Sequence, residues 1–316
     1  MNEHLLQEAR RILLTEGLWI TPNGYRQLLT DVFPVGSQLA ITMDEPPTYR
    51  QKTHTALIAG LPTLKGTAAE GVTLTDDYSS PDLPDQSVAY HRIFGLITAD
   101  SSWCFSSKQL ERDLLAAEAN PQVAAHLLHI NSPGGEAWYL DRLSETFGQL
   151  QKPVLAIYEM CCSAAYHIGC HAQRLYATTM FDFVGCIGTM VSFWDFEEYF
   201  KQLGLRKIEA RAEGSDLKNK MFDDLVDGKP EQYVERVLNP LNTQFLATVR
   251  SQREQLSGVA DDAPVLRGET YFTSEAQQIG LCDGQRTFAQ AVAECAQMGR
   301  EWSEAEKLKN RVYDMI

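Results

Sequence analysis

From residue 88 onward, apolar runs alternate with segments whose apolar residues recur every three or four positions. Residues 88–98 (VAYHRIFGLIT) predict a strand, and 107–120 (SKQLERDLLAAEAN) predict a helix with Leu110, Leu114 and Ala117 on one face. Residues 123–131 (VAAHLLHIN) predict a buried strand. Residues 136–150 predict a helix carrying Leu140, Leu143, Phe147 and Leu150 at helical spacing, and 153–159 (PVLAIYE) a further strand. Beyond these, the pattern predicts strands over 174–178, 186–193 and 205–211. It predicts helices over 194–204, over 230–253 with a bend at Pro240, and over 273–280, opened by Thr273 as N-cap and closed by Gly280. Such alternation predicts an α/β fold, a mainly parallel sheet covered by helices.

The first stretch differs. A helical pattern over 1–17 is followed by short strand-like runs at 38–45, 54–61 and 71–77, and 78–87 (YSSPDLPDQS) reads as a linker. The chain is therefore expected to divide into a small N-terminal α+β segment (1–86), a main domain (87–298) and a C-terminal helix or tail (299–316).

Composition removes some function classes. A net charge of −14 disfavours nucleic acid, which needs a basic face, and an anionic membrane surface. Residues 1–17 lack the positive start and apolar run of a signal peptide, and no apolar window is long enough to predict a membrane span. Seven cysteines, including the adjacent Cys161 and Cys162, do not suggest a secreted disulfide framework, so a reducing cytoplasm is expected.

Three features carry candidate chemistry. In 130-INSPGGEA-137 a predicted strand meets Pro133, Gly134 and Gly135 ahead of a predicted helix. Backbone N–H groups turned outward there suit an oxyanion hole, and a plain strand-to-helix turn is the alternative. In 161-CCSAAYHIGCHA-172, Ser163 stands between strand and helix, as a nucleophile or as an N-cap. No histidine lies beyond His171, which excludes a downstream histidine base and leaves lysine. Lys218 and Lys220 stand in 214-GSDLKNKMFDDL-225 beside Met221 and Phe222, where apolar burial would lower an amine pKa; a solvated loop is the alternative. Cys161, Cys162, Cys170, His167 and His171 offer soft ligands, but no glutamate lies between the histidines and no C-x-x-C pair is present, so no metal is expected.

Taken in order, INSPGG, the serine among small residues ahead of Tyr166, 184-VGCIGTM-190, the lysine loop and 267-RGETYFTSEAQQIGLCDG-284 resemble the signal peptide peptidase A (protease IV) family of serine peptidases over residues 88 to 298. The resemblance implies a Clp protease/crotonase-like fold and a Ser-Lys dyad. Ser163 is then the nucleophile, Lys218 the base with Lys220 as runner-up, and Gly134 and Gly135 the oxyanion hole. It implies no cofactor, a protein or peptide substrate, and a homo-oligomer. The family's Ser-Gly-Gly is Ser163-Ala164-Ala165 here, and the membrane anchor of the membrane-bound enzymes is missing. The segment 96-LITADSSWCFSS-107 is similar to phage and prophage relatives, which implies a head-maturation peptidase acting on capsid or scaffold protein. A catalytically silent scaffold, a signal-peptide-degrading enzyme and a crotonase-like acyl-CoA enzyme are the competing expectations.

Overall fold

The computed structural model describes residues 18–20, 56–58, 72–74, 78–81, 83–101, 104–193, 195, 197–202 and 204–313. The expected helix at 1–17 and strand at 38–45 lie outside them. The strands are β1 (Leu18–Ile20), β2 (Ala56–Ile58), β3 (Val72–Leu74), β4 (Ser87–Phe94), β5 (Ile97–Thr98), β6 (Phe105–Ser106), β7 (Val123–Ser132), β8 (Gly134–Glu136), β9 (Val154–Cys162), β10 (Arg174–Ala177), β11 (Phe183–Gly185), β12 (Thr270–Phe272) and β13 (Gly284–Gln285).

The main sheet runs β12–β11–β9–β7–β4–β2–β3. Its centre, β4, β7 and β9, is parallel, as the alternation with helices predicts. Strand β9 divides its outer edge between two parallel partners. Leu155–Tyr158 pair with β10, and Met160–Cys162 pair with β11. Strands β2 and β3 join antiparallel through β4, so residues ahead of the expected domain boundary extend the same sheet. A second, small sheet has the order β1–β8–β5–β6.

Helices cover both faces, so β7 is buried along nearly its whole length, and its side chains divide with the period of two. Leu128 and Ile130 face a core shared with Leu110 and Leu114 of the Ser107–Ala119 helix, Leu140 and Leu143 of the Leu140–Gln149 helix, and Phe245. Ala125 and Leu127 face Ala291, Val292, Cys295 and Ala296 of the long Phe288–Tyr313 helix. Each fully buried leucine there contributes about 1.5–3 kcal/mol of transfer free energy. The fold is α/β with a mainly parallel sheet.

Several expected elements differ. The 136–150 helix begins only at Leu140, because Gly134–Glu136 is drawn into the small sheet. The 186–193 strand is absent; β11 ends at Gly185, and the Cys186 N–H turns to the Glu269 carbonyl (2.8 Å). Residues 205–211 form no strand either, since no sheet edge lies alongside and Lys207, Glu209 and Arg211 pair with one another in solvent. At Pro240 the structure shows a π-helical turn ahead of the proline, which lacks an N–H and cannot bond Arg236. That turn, Val234–Leu238, precedes the Asn239–Gln252 helix. Phe272, not Thr273, is the N-cap of the Thr273–Ile279 helix, because the Thr273 hydroxyl donates to the Thr179 carbonyl (2.6 Å). The 78–87 segment packs down, with Tyr78 and Leu83 buried and Asn120 donating to the Tyr78 and Ser80 carbonyls. The tail from 299 continues the Phe288–Tyr313 helix.

Candidate active site

Strand β9 ends at Cys162, and the Ala164–Gly169 helix starts two residues later. Ser163 makes the whole reversal, at φ 57° and ψ −121°. A non-glycine residue held there stores roughly 1–3 kcal/mol of backbone strain, which persists only where the surroundings over-determine it. They do. The Ser163 N–H donates to the Gly185 carbonyl at the end of β11 (2.8 Å), and its own carbonyl accepts the first helical bond from His167 (3.0 Å). Ser163 occupies the N-cap position, yet its hydroxyl caps nothing. That separates it from an ordinary capping serine and matches the sharp strand-to-helix turns that present nucleophiles.

The side chain that meets the hydroxyl is Cys186, the first residue beyond β11, which has φ 55°. Burial pushes the Cys186 thiol up, and its hydrogen bond with Ser163 draws it part of the way back. Ser163 itself is 1% exposed, and Ala164 and Ala165 lie fully inside the core.

The short helix packs against β8, which brings the serine turn and the glycine pair together. Gly134 has φ 106°, and its N–H donates to the Ser132 hydroxyl (3.1 Å), which in turn donates to the Gly95 carbonyl (2.6 Å). A Cβ at Gly135 would lie 1.9 Å from the Ile97 carbonyl oxygen, so the close approach of β5 admits only glycine. The pair therefore belongs to a strand. The expected contribution of a helix N-terminus does not arise, because the next helix opens at Leu140.

Neither loop lysine is hydrogen-bonded to Ser163 within the chain. Lys218 is exposed, held through its backbone N–H to the Ser215 carbonyl (3.1 Å). Lys220 is exposed and paired with Asp224 (2.8 Å), an interaction that raises its pKa, the wrong direction for a base. A lysine lowered by burial does exist: Lys152, at about 8. Its ammonium is committed to the carbonyls of Ala117, Glu118 and Asn120 (2.9, 2.6 and 2.7 Å), closing the Ser107–Ala119 helix at the opposite end of β9 from the serine.

The cysteine and histidine cluster is used for packing. Cys161 donates to the Ala165 carbonyl (3.4 Å) and Cys170 to the His167 carbonyl (3.2 Å). His171 meets the Ser144 hydroxyl (3.0 Å) and stacks on Phe147. Burial pushes His167 down to about 3 and His171 to about 4, and pushes the Cys170 thiol up to about 12. Among the described residues no group of three or more His, Cys, Asp or Glu side chains is arranged to hold a metal ion.

Sequence reasoning missed two features. Cys186 stands inside the VGCIGTM motif, and its place next to the serine follows from the register that sets Gly185 beside Cys162. Behind the serine helix, the Tyr166 hydroxyl donates to the Leu281 carbonyl (3.1 Å). That loop is fixed in turn by a bidentate ion pair between Arg253 and Asp283 (3.0 and 3.2 Å). The closing Gly-Leu-x-Asp signature thus has a mechanical reason.

Among known proteins, the model of peptidase family S49 matches residues 146–301. Protease 4 of Haemophilus influenzae is 29% identical over 194 residues, covering 60% of this chain and 31% of that protein. A protein of Methanocaldococcus jannaschii named as a protease is 24% identical over 184 residues, covering 57% of this chain and 58% of that protein. The chain thus spans about a third and somewhat over half of the lengths of these curated relatives. Solved structures that align include an enoyl-CoA hydratase/isomerase family member, with TM-score 0.39 and 14% identity over 68% of this chain and 72% of that one. Another is an enoyl-CoA hydratase/isomerase from Mycobacterium abscessus, with TM-score 0.37 and 12% identity over 68% and 72%. The fold class rests on the strand order and register above rather than on these alignments. Over residues 146–301, which carry Ser163, Cys186 and the lysine loop, the chain is similar to peptidase family S49.

Proposed function

We propose that this chain is a serine endopeptidase in which Ser163 is the nucleophile and Lys218 the general base. The observation that carries the reading is the Ser163 turn: a strained, non-capping serine at the end of a central parallel strand, on a helix packed against a glycine strand. Neutral Lys218 takes the proton from the Ser163 hydroxyl, and the oxygen attacks a peptide carbonyl. The Gly135 backbone N–H, with that of Gly134 once it turns from the Ser132 hydroxyl, holds the oxyanion, the lysine returns its proton to the departing amine, and water then hydrolyses the ester. The Cys186 thiol, neutral because it is buried, orients the hydroxyl.

An amine that works as a base near neutral pH must fall from about 10.4 to roughly 7–8, at a cost of around 3–5 kcal/mol. Lys218 is exposed in the single chain. Leu217 beside it is 75% exposed, an apolar side chain that an associating copy would cover. The dyad is accordingly completed between copies of the chain, one lending Ser163 and its neighbour Lys218. For substrate, we propose capsid or scaffold protein in a phage or prophage setting, on the resemblance of the 96–107 segment. A silent scaffold is the second reading, favoured by the burial of Ser163.

The test is labelling by a fluorophosphonate. Wild type is expected to label at Ser163, and Ser163→Ala and Lys218→Ala are each expected to be silent. A mixture of those two variants regains labelling, because intact Ser163 and intact Lys218 meet across an interface. Silence of wild type in its folded assembled state overturns the peptidase reading. Loss of labelling in Lys220→Ala but not in Lys218→Ala transfers the base to Lys220.

A further inference from the structure

Strand β8 has a partner on each edge. Along one, β5 lies parallel through Ile97 and Gly135; along the other, β1 lies antiparallel through Ile20–Gly134, Trp19–Gly135 and Leu18–Glu136. The two partners differ in standing. Strand β5 belongs to the main body, linked to β4 by two residues, and its carbonyl fills the space where a Gly135 side chain would be. Strand β1 comes from far upstream and, among the described residues, pairs with β8 alone. Its three-residue ladder is shorter than the usual five or six residues of a strand.

An unpaired strand edge offers a row of N–H and C=O groups that fits any extended backbone, and strand addition to such an edge is a general mode of peptide recognition. The β8 edge carries the glycine pair, and the helix opened by Ser163 packs on the same strand. A polypeptide laid where β1 lies would run past the glycines with its backbone held straight. Ser163 is 1% exposed.

We propose that the outer edge of β8 is a docking site for an extended polypeptide, and that Leu18–Ile20 is its resident occupant, which a substrate must displace. The identity of the ligand as substrate rests on the peptidase reading; the exchange of strands does not. The N-terminal segment thereby acts in cis as a competitor, and its release sets how readily the site accepts another chain.

Hydrogen exchange over residues 133–138 of the full chain tests this. Trp19→Pro, and separately the triple change Leu18→Gly, Trp19→Ser and Ile20→Gly, are expected to speed exchange at this segment at least tenfold. Exchange at β7 should stay unchanged. A synthetic peptide spanning residues 14–24, added to either variant, is expected to restore protection. The same peptide N-methylated at Trp19 and Ile20 is not, because it cannot complete the ladder. Unchanged exchange in both variants, or equal effects of the two peptides, overturns the proposal. Fluorophosphonate labelling separates the readings. Restored protection with Ser163 unlabelled in every variant sinks the peptidase and leaves the strand exchange. Labelling with unchanged exchange does the reverse.

Discussion

The ion pair behind the serine helix permits a quantitative test of how the site is held. Arg253 is 4% exposed and gives two hydrogen bonds to Asp283, while its Nε donates to the Gly280 carbonyl (3.2 Å). Asp283 also accepts the Leu175 N–H (2.7 Å), tying the loop to β10. In Asp283→Ala the guanidinium stays buried without its counter-charge, a loss of about 3–5 kcal/mol. The Leu175 N–H loses its acceptor, adding about 1–3 kcal/mol where water cannot reach it. The sum, about 4–6 kcal/mol after allowing for overlap, is a large share of the roughly 5–15 kcal/mol that holds a domain folded. Asp283→Asn keeps an acceptor for Leu175 and should cost less, about 3 kcal/mol. In the double variant Arg253→Leu with Asp283→Leu the stranded charge is gone, and the Leu175 N–H and the Gly280 carbonyl lose their partners, so about 2–4 kcal/mol is expected. Equilibrium urea unfolding at constant slope reads all three. An Asp283→Ala loss below about 1 kcal/mol, or a double variant as unstable as the sum of its singles, refutes the claim that this pair is a buried, coupled unit.

Two further expectations follow from burial and crowding. His167 and His171 stay neutral in the fold down to about 3 and 4, whereas in the unfolded chain they protonate near 6.5. The unfolded state therefore binds more protons, and stability is lost as pH falls below 6.5. By pH 5 each ring has removed about 2 kcal/mol. His167→Phe should lose about 2 kcal/mol less than wild type between pH 7.5 and 5.0 in urea unfolding, and an identical pH slope would count against the assignment. At Gly135, alanine would place a Cβ 1.9 Å from the Ile97 oxygen, so Gly135→Ala must separate β5 from β8. The expected result is a loss of at least 2 kcal/mol with Ser163 labelling reduced more than tenfold, against little change in the exposed Gly258→Ala control. Full labelling in Gly135→Ala would show that the glycine strand has no part in the site.

The parallel core was legible because burial on both faces writes itself as apolar runs, and 123–131 and 153–159 became β7 and β9 with boundaries displaced only at their ends. Patterns near the surface misled. The alternation in 205–211 looks like a strand, but a strand exists only beside a partner, and none was specified locally. Gly134 and Gly135 were recognisable as a special turn, yet their membership of a strand depends on β5 and β1, both distant in sequence. Ser163 was singled out from its small neighbours. What distinguishes it from a cap, a backbone at positive φ with the hydroxyl turned to Cys186, comes from the register of β11 against β9.

The lysine shows most clearly what a local reading lacks. Residues 214–225 were singled out because Met221 and Phe222 promised an apolar setting for Lys218. Those two side chains are indeed half-buried, with Phe222 in ring contact with Phe193. Lys218 itself, however, is exposed. The chain's own burial-lowered lysine, Lys152, is consumed as a helix clamp and sits at the wrong end of β9. A lysine base needs a dry pocket, and the described residues supply none at Lys218. If the chemistry is Ser-Lys acyl transfer, the missing burial has to come from outside the chain, which makes labelling of Ser163 dependent on assembly. Dilution below the association threshold should therefore abolish labelling in proportion to the loss of oligomer measured by sedimentation. Labelling that persists undiminished in the fully dissociated chain would place the base within the chain and end the argument for a shared site.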